Sequence, residues 1–382
     1  MSLPKLPCTK LKTSVIISIF YYTVIFEEFS HEKIDHYRDD GDLCLCGDCP
    51  GRDIEAVDLE RLCPQQLIDT FEKETGIKVE VTFSNNEEMI AKLRATRGAG
   101  FDLAQPSQDR ISSVQEKYNL YQPLDYSKID SALFIPSMLE AVKKNTKVGS
   151  DSYGVPFCWG TSGLIVNSAK AADADAFKAL IDSKYKGRVS YRLKRPTLIA
   201  MAFALGYDPF ALYNDTEAYK AMLDKVAEAL IDAKPIVKNY WANGDSLLES
   251  MRSEEVFVAM AWDAGGWKLH ADNAAIDFKA PKEGALGWID TFTIPSKAEN
   301  VDAAYKWINF IMKPENAGYF SSQEKYATAS KDALKFTDAA VAANFARSFP
   351  QATIDNIKWY PPVPAKLESL EGKILDKIKA AN

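Results

Sequence analysis

The chain after residue 63 alternates between an apolar spacing typical of helices and one typical of strands. The first helix and strand have their apolar positions at Leu67, Ile68 and Phe71, and at Ile77, Val79, Val81 and Phe83. The pattern continues with segments predicted as helix at 89–93, strand at 101–104, strand at 153–167, helix at 218–233, strand at 256–262 and helix at 303–312. This alternation predicts an α/β fold with mostly parallel sheets covered by helices.

The length of 382 residues indicates two to three domains. No internal repeat and no linker rich in Pro or Ser separates the halves, so we expect the chain to cross between domains through strands. Ligands of open α/β sheets bind beyond the carboxyl ends of strands. The loops after Leu103, Val155 and Met260 are therefore the candidate binding loops.

Residues 1–62 differ from the rest and are predicted to form a leader. An apolar run at 13–26 follows three lysines, which is typical of a signal segment, and it is shorter than the ~20 residues that span a bilayer. Residues 31–62 are rich in Asp and Glu and hold a Cys-x-Cys-x-x-Cys segment that begins at Cys44. A flexible acidic stretch is the main interpretation, and a zinc site completed by His36 or Cys63 is the alternative.

Composition narrows the chemistry of the remaining chain. The formal net charge of −7 disfavours nucleic acid and anionic lipid as partners. The chain has three histidines, too few for a metal site of several histidines or an imidazole triad in its body. The motifs GxxxxGK[ST], GxGxxG, HExxH and GxSxG are absent. We therefore predict no enzyme activity, no cofactor and no metal.

Three tryptophans stand beside polar residues near predicted strand ends. The pairs are Trp159 with Thr161, Trp262 with Asp263, and Trp288 with Asp290. An indole face and a nearby carboxylate both attract the same cation, the first through its π system and the second through an ion pair. The recurrence favours an amine-binding site, and core packing is the alternative for each tryptophan.

Several segments resemble the spermidine/putrescine-binding proteins of bacterial ABC importers. The resemblance covers about 300 residues from Pro64 onward, and its most specific segment is PKEGALGWIDTFTIP at 281–295; others are PQQLIDTFEKETGIKV at 64–79, FDLAQPS at 101–107, VPFCWGTSGLIVN at 155–167 and AYKWINFIMKP at 304–314. It implies an α/β, two-lobed periplasmic-binding-protein fold of type II whose lobes are joined by crossing strands. It also implies a monomeric, periplasmic or otherwise extracytoplasmic protein that closes on a small solute and delivers it to the membrane subunits of an ABC permease.

The resemblance also implies lobe boundaries and binding residues. Crossings near Phe157 and Ile289 assign 63–157 and 290–335 to lobe 1, and 158–289 and 336–382 to lobe 2. Trp288 and Asp290 match a stacking ring and a carboxylate that contact a polyamine. The other matched positions are Trp262, Tyr326, Ser107, Gln108 and, in a looser alignment, Tyr360.

Two departures from the family pattern change the expected ligand. The family's first strand ends in cage aromatics, whereas this chain reads VDLERL at 57–62. The family then carries two acidic residues where this chain reads YRLKRP at 191–196, which reverses the local charge. A solvated helix terminus is one interpretation of these basic residues. The other is that Arg192 or Arg195 binds an acid group, which with Asp290 suits a solute that carries both an amine and an acid. A receptor for an anionic solute and a small-molecule enzyme on the same scaffold remain alternative hypotheses.

Overall fold

The computed structural model of the chain describes residues 54–59 and 63–381, which belong to one compact unit. The apolar run at 13–26 and the Cys-x-Cys-x-x-Cys segment lie outside these residues. The signal segment and the zinc site therefore stay predictions. Cys63, the downstream cysteine of the zinc hypothesis, is buried in an apolar cluster.

The strands are, in chain order, β1 Ile54–Leu59, β2 Val79–Ser84, β3 Leu103–Ala104, β4 Lys147–Val148, β5 Asp151–Ser152, β6 Val155–Asn167, β7 Val189–Tyr191, β8 Val237–Tyr240, β9 Val258–Trp262, β10 Ile276–Lys279, β11 Leu286–Phe292, β12 Ala327–Thr328 and β13 Lys358–Trp359. The α-helices are α1 Gln65–Thr75, α2 Asn86–Thr96, α3 Gln108–Tyr118, α4 Pro136–Asn145, α5 Ser168–Ala171, α6 Arg195–Ala204, α7 Thr216–Asp232, α8 Gly244–Arg252, α9 Asp263–Asp272, α10 Val301–Ile311, α11 Pro314–Glu324, α12 Ala339–Ser348, α13 Gln351–Asp355 and α14 Ala365–Ala380. The predicted alternation of helices and strands is confirmed.

A small parallel sheet has the order β2-β1-β3, with β1 in the centre. Ile54 pairs with Val79 and Ala56 with Leu103, so residues 54–59 belong to the folded body. The predicted leader boundary at residue 62 is therefore wrong, because it includes this strand. Acidic residues interrupt the apolar positions of β1, and the pairing becomes visible only once β2 and β3 flank it.

Local sequence fixes how this sheet connects to its helices. Gly76 ends α1 in the left-handed conformation with φ +72°, which glycine adopts without a steric penalty, and its N–H donates to Glu72 O at 2.8 Å. Asn85 caps α2 by accepting a hydrogen bond from Glu88 N at 3.0 Å. The cap starts α2 directly after β2 and so places Asn86 at the carboxyl edge of the small sheet.

The large sheet has the order β13-β11-β6-β9-β7-β8, and β10 and β12 also pair with β6. The long β6 is antiparallel to β9, β10, β11 and β12, whereas β7 is parallel to both β8 and β9. The prediction of mostly parallel sheets thus holds for the small sheet and is wrong around β6. The predicted loop after Val155 is also wrong, since Val155 begins this uninterrupted 13-residue strand.

The described residues form two large apolar clusters. The first contains side chains of α6, α7 and α14, such as Leu198, Tyr219 and Leu367, and the second contains side chains of α1 and α10, such as Phe71 and Trp307. The lobe boundaries given above remain predictions. Within the described residues, no helix combines the length and apolar character that a membrane crossing requires.

Candidate functional site

The carboxyl edges of the two sheets meet at Asp290. Ser107 lies between β3 and α3 and forms an isolated antiparallel bridge with Asp290 of β11. Both β9 and β11 are antiparallel to β6, so their carboxyl ends point to the same edge of the large sheet. Because α/β proteins bind ligands at such edges, this junction is the candidate site.

Asp290 is a buried carboxylate without a cationic partner among the described residues. It is 4% exposed, and Ser107 Oγ donates to its Oδ1 at 2.5 Å. Asn86 holds Ser107 in place, since its Nδ2 donates to Ser107 Oγ and its Oδ1 accepts from Ser107 N, both at 2.9 Å. Burial raises the pKa of Asp290 to about 7. The hydrogen bond from Ser107 lowers this pKa by a smaller amount, and the nearby charge of Asp109 adds a smaller increase. A bound cation would relieve this unfavourable charge.

Trp288 lies between the two large clusters and forms one wall of the site. Its indole packs against both clusters and meets the Tyr326 ring edge to face, with centroids 5.3 Å apart. The Nε1–H of Trp288 is buried and has no hydrogen-bond partner within the described structure. Burial raises the pKa of Tyr326, so its hydroxyl stays protonated. The Trp288 ring and the Tyr326 hydroxyl are thus candidates to contact a solute.

Asp263 is a second buried carboxylate near Trp288, and it is held by hydrogen bonds. It accepts from Thr161 N at 2.7 Å, from Thr161 Oγ1 at 3.0 Å and from Ala264 N at 2.7 Å. Burial raises its pKa to about 7 in spite of these three donors. The structure thus ties Thr161 to the site through Asp263.

Trp262 and Arg192 meet at the other side of the same sheet edge. Trp262 ends β9 and contacts Trp241 edge to face, with centroids 5.2 Å apart. The guanidinium carbon of Arg192, which follows β7, lies 5.0 Å from the Trp241 centroid and 5.5 Å from the Trp262 centroid. A guanidinium therefore stacks on the ring that the family resemblance assigns to the solute.

Arg195 lies in a buried ionic network. The interpretation of this residue as part of a solvated helix terminus is therefore wrong. Its Nη1 lies 2.8 Å from Asp109 Oδ2, its Nε lies 2.9 Å from Glu371 Oε2, and its Nη2 donates to the Tyr213 hydroxyl. Its guanidinium carbon lies 4.9 Å from the Tyr360 centroid. Two carboxylates already compensate this charge, so Arg195 is a structural cation. A contact of Arg192 with a solute stays a prediction.

The remaining predicted residues lie around this centre. Gln108 begins α3 next to Ser107 and is buried, with its Oε1 3.3 Å from Asn145 Nδ2. Tyr360 is buried, and its hydroxyl has no partner among the described residues. Trp159 instead packs against Phe345 and Trp359, with both centroid distances 5.8 Å. Its role in solute binding stays a prediction.

Sequence reasoning missed three residues that shape the site. Asn86 was not predicted as a site residue, yet it holds Ser107. Asp109 comes directly after the predicted pair Ser107 and Gln108, but only the fold brings Arg195 to it. Trp241 directly follows β8, just as Trp262 ends β9. A search for aromatic residues at strand ends would have found Trp241, but β8 was not predicted as a strand.

Replacing Gly160 by alanine is expected to weaken solute binding by about tenfold with a smaller effect on folding. A Cβ at residue 160 would lie 2.6 Å from Cζ2 of Trp288 and 3.1 Å from Oδ1 of Asp263, so the indole must move. Calorimetric titration of an amine solute measures the loss. Gly372→Ala is the matched control: a Cβ there meets nothing within 4 Å, so it should stabilise α14 by about 0.5–1 kcal/mol and leave affinity unchanged. Equal affinity of both variants would show that Trp288 does not contact the solute.

Comparisons with known proteins agree with this geometry. Residues 66–347 match the family described as bacterial extracellular solute-binding protein. The spermidine/putrescine-binding periplasmic protein of Escherichia coli (strain K12) is 30% identical over 325 residues, which cover 83% of this chain and 88% of that protein. The putrescine-binding periplasmic protein PotF of the same organism is 29% identical over 298 residues, which cover 72% of this chain and 78% of that protein.

Solved structures show the same fold. A spermidine/putrescine ABC transporter protein from Listeria monocytogenes has a TM-score of 0.76 and 28% identity, and the alignment covers 86% of this chain and 99% of that one. The two-lobed periplasmic-binding-protein fold and the extracytoplasmic location that the sequence predicts are thereby confirmed. The chain belongs to the bacterial extracellular solute-binding proteins.

Proposed function

We propose that this protein is the solute-binding component of an ABC importer and captures a small solute that carries an amine. One observation carries the proposal: the buried carboxylate of Asp290, which has no cationic partner in the part of the chain that the structure describes, lies at the junction of the two sheets, near Trp288 and Tyr326. An ammonium there gains an ion pair with the carboxylate and a cation–π contact with the indole. The relatives named for spermidine and putrescine support an amine as the recognised group.

The mechanism needs no covalent chemistry. A solute that contacts residues of both lobes binds the closed conformation more tightly than the open one and so shifts the population towards closure. In the predicted boundaries Ser107 and Asp290 belong to lobe 1 and Trp288 belongs to lobe 2, so an ammonium held by Asp290 and Trp288 would contact both lobes. The closed, loaded monomer then delivers the solute to its permease subunits.

Binding of an amine is expected to weaken by about 30-fold between about pH 8 and about pH 5.5. The pKa of Asp290 is raised to about 7, so the ionised form is disfavoured, and a cation must displace the proton below that pH. Asp109, the charged group that faces Asp290 from α3, is itself paired with Arg195, and Asp263 titrates near the same pH. Affinity therefore rises as the pH rises through 7.

Isothermal titration against a panel of diamines, polyamines and amino acids at both pH values tests the function and its pH dependence. Proton release on binding below pH 7, measured in buffers with different ionisation enthalpies, is the specific signature. Absence of binding by every amine at about pH 8 contradicts the proposed function. Binding that is independent of pH contradicts the role of Asp290.

A further inference from the structure

Two pairs of helices near the candidate site belong to different apolar clusters. Helices α2 and α3 pack together in a small cluster that contains Met89 and Val114. Helices α6 and α14 pack in the first large cluster, through side chains such as Leu198 and Leu367. The predicted boundaries assign α2 and α3 to lobe 1, and α6 and α14 to lobe 2. Contacts between the two pairs of helices therefore connect the predicted lobes.

Ion pairs connect these two pairs of helices. They include Arg195 with Asp109 at 2.8 Å, Lys194 with Glu87 at 3.6 Å, and Arg110 with Glu368. Lys194 directly precedes α6, and the other five residues belong to the four helices. A hydrogen bond of 3.0 Å from Val363 N to Asp109 O connects the chain just before α14 to α3. Each side contributes both cations and carboxylates, so the two surfaces are complementary in charge.

Each of the two arginines also has a partner on its own side. Arg195 Nε lies 2.9 Å from Glu371 Oε2 of α14, and Arg110 Nη2 lies 3.0 Å from Glu87 Oε1 of α2. If α3 moves away from α6 and α14, both guanidiniums keep a carboxylate, so neither is left as an unpaired buried charge. Separation therefore has a moderate cost in free energy, and the contacts can form and break reversibly.

The ion pairs between the two sides are lost when the sides separate. The Coulomb energy of two charges falls as the inverse of their distance, and water that enters the gap screens it further. The side chains of Arg195 and Asp109 are 5% and 6% exposed, so water screens their attraction little while they are in contact. Lys194 and Glu87 are more exposed and contribute less. Together these pairs favour the arrangement in which α3 lies against α6 and α14.

We infer that these ion pairs form a latch that favours closure of the two lobes before any solute binds. The apparent affinity of a solute equals its intrinsic affinity for the closed form multiplied by the population of that form in the empty protein. The latch raises this population, so a smaller share of the solute's binding free energy is used to close the lobes. The inference goes beyond the capture of an amine, because the latch acts in the empty protein and for any solute that requires closure.

Glu368→Gln combined with Lys194→Gln removes two pairs of the latch and leaves the buried pair at Asp109. Hydrogen–deuterium exchange of the dialysed full chain, followed by mass spectrometry, measures the opening at Val363. Residues 361–364 read PPVP, so Val363 has the only backbone N–H of this segment, and that N–H donates across the latch to Asp109 O. Exchange at Val363 is expected to be about fivefold faster in the double variant than in the unchanged chain, both without a solute.

The matched control combines Lys313→Gln with Glu254→Gln. It also removes one cation and one carboxylate, but their ion pairs, with Glu74 at 3.4 Å and with Lys170 at 3.5 Å, each lie within one predicted lobe. These four side chains are 43–48% exposed, so solvent screens their pairs about as much as that of Lys194 and Glu87. Exchange at Val363 should be unchanged in the control.

Unchanged exchange at Val363 in the latch variant, or an equal increase in the control, overturns the inference. An increase that extends to the buried core of α7 also overturns it, because the pairs then maintain the fold as a whole. If the double variant does not fold, as judged by circular dichroism, Glu368→Gln alone gives the decisive comparison, with an expected increase of about twofold. Calorimetric titration with amines tests the proposed function separately: absence of binding contradicts amine capture and leaves the latch standing.

Discussion

Asp290→Asn is expected to weaken solute binding by about 100-fold or more at about pH 8, the cost of truncating one partner of a buried charge pair. The amide keeps the shape of the carboxyl group and can still accept from Ser107 Oγ, but it has no charge to offer an ammonium. The same variant should unfold at a higher temperature when no solute is present. The reason is that Asp290 is buried with no cation beside it among residues 54–59 and 63–381, so its charge costs free energy in the empty protein.

The sign of this stability effect depends on pH. A carboxyl group whose folded pKa is raised above its ordinary value of 3.8 contributes stability below pH 3.8, and that contribution is lost as the pH rises through about 7. Asp290→Asn should therefore be about 1–2 kcal/mol more stable than the unchanged chain at about pH 8 and nearly equal to it at about pH 4. Calorimetric titration and chemical denaturation measure the two effects.

Asp151→Asn is the control for this variant, since Asp151 is an exposed aspartate on β5. It should change neither affinity nor stability. Retained affinity in Asp290→Asn would place the solute's amine elsewhere. A loss of both affinity and stability would instead show that Asp290 maintains the fold of the site.

Arg195→Gln is expected to lower the free energy of unfolding by about 3–5 kcal/mol, because it removes the cation that pairs with the buried Glu371 and leaves the buried Asp109 with only the more distant Arg110, at 3.9 Å. Asp109 and Glu371 each lie within 3 Å of the guanidinium and are 4% and 2% exposed. Asp109 belongs to α3, whereas Arg195 and Glu371 belong to α6 and α14, which pack in a different apolar cluster. The ion pair therefore also couples two parts of the body.

Urea denaturation followed by circular dichroism measures this loss. Arg188→Gln removes an exposed guanidinium and should cost less than about 0.5 kcal/mol. Adding Glu371→Gln to Arg195→Gln should restore part of the stability, because it removes the buried charge that lost its cation. A single variant as stable as the unchanged chain would show that Arg195 is not a structural cation and would return it to the list of residues that bind the solute.

The sequence predicted the fold better than the details of its sheets. Helical spacing at Leu67, Ile68 and Phe71 and the Gly76 stop located α1 closely, because helix signals are local. Strands β2, β3, β6 and β9 were predicted, but the strand directions around β6 were not, since pairing depends on which distant segment lies alongside. Strand β1 was missed for the same reason. Its acidic residues weaken the apolar pattern, and only β2 and β3 make it a strand.

The site was predicted in its residue types and only partly in its arrangement. Trp288, Asp290, Tyr326 and Ser107 meet at one junction of the structure, as their family pattern predicts. Arg192 and Arg195 look equivalent in the sequence, being three residues apart in one basic run. The structure separates them completely, since one stacks on two tryptophans and the other is buried between two carboxylates.

The sequence alone determined that this chain is an α/β protein of the solute-binding class, because apolar periodicity and short motifs are written in neighbouring residues. Tertiary structure alone decided which charges have partners. Asp109 is 86 positions from Arg195, and Glu371 is 176 positions away, yet both bond to it. Whether a buried charge is compensated depends on distances in space. Only the folded chain therefore shows that Arg195 is paired with carboxylates, whereas Asp290 has no cation beside it within the described structure.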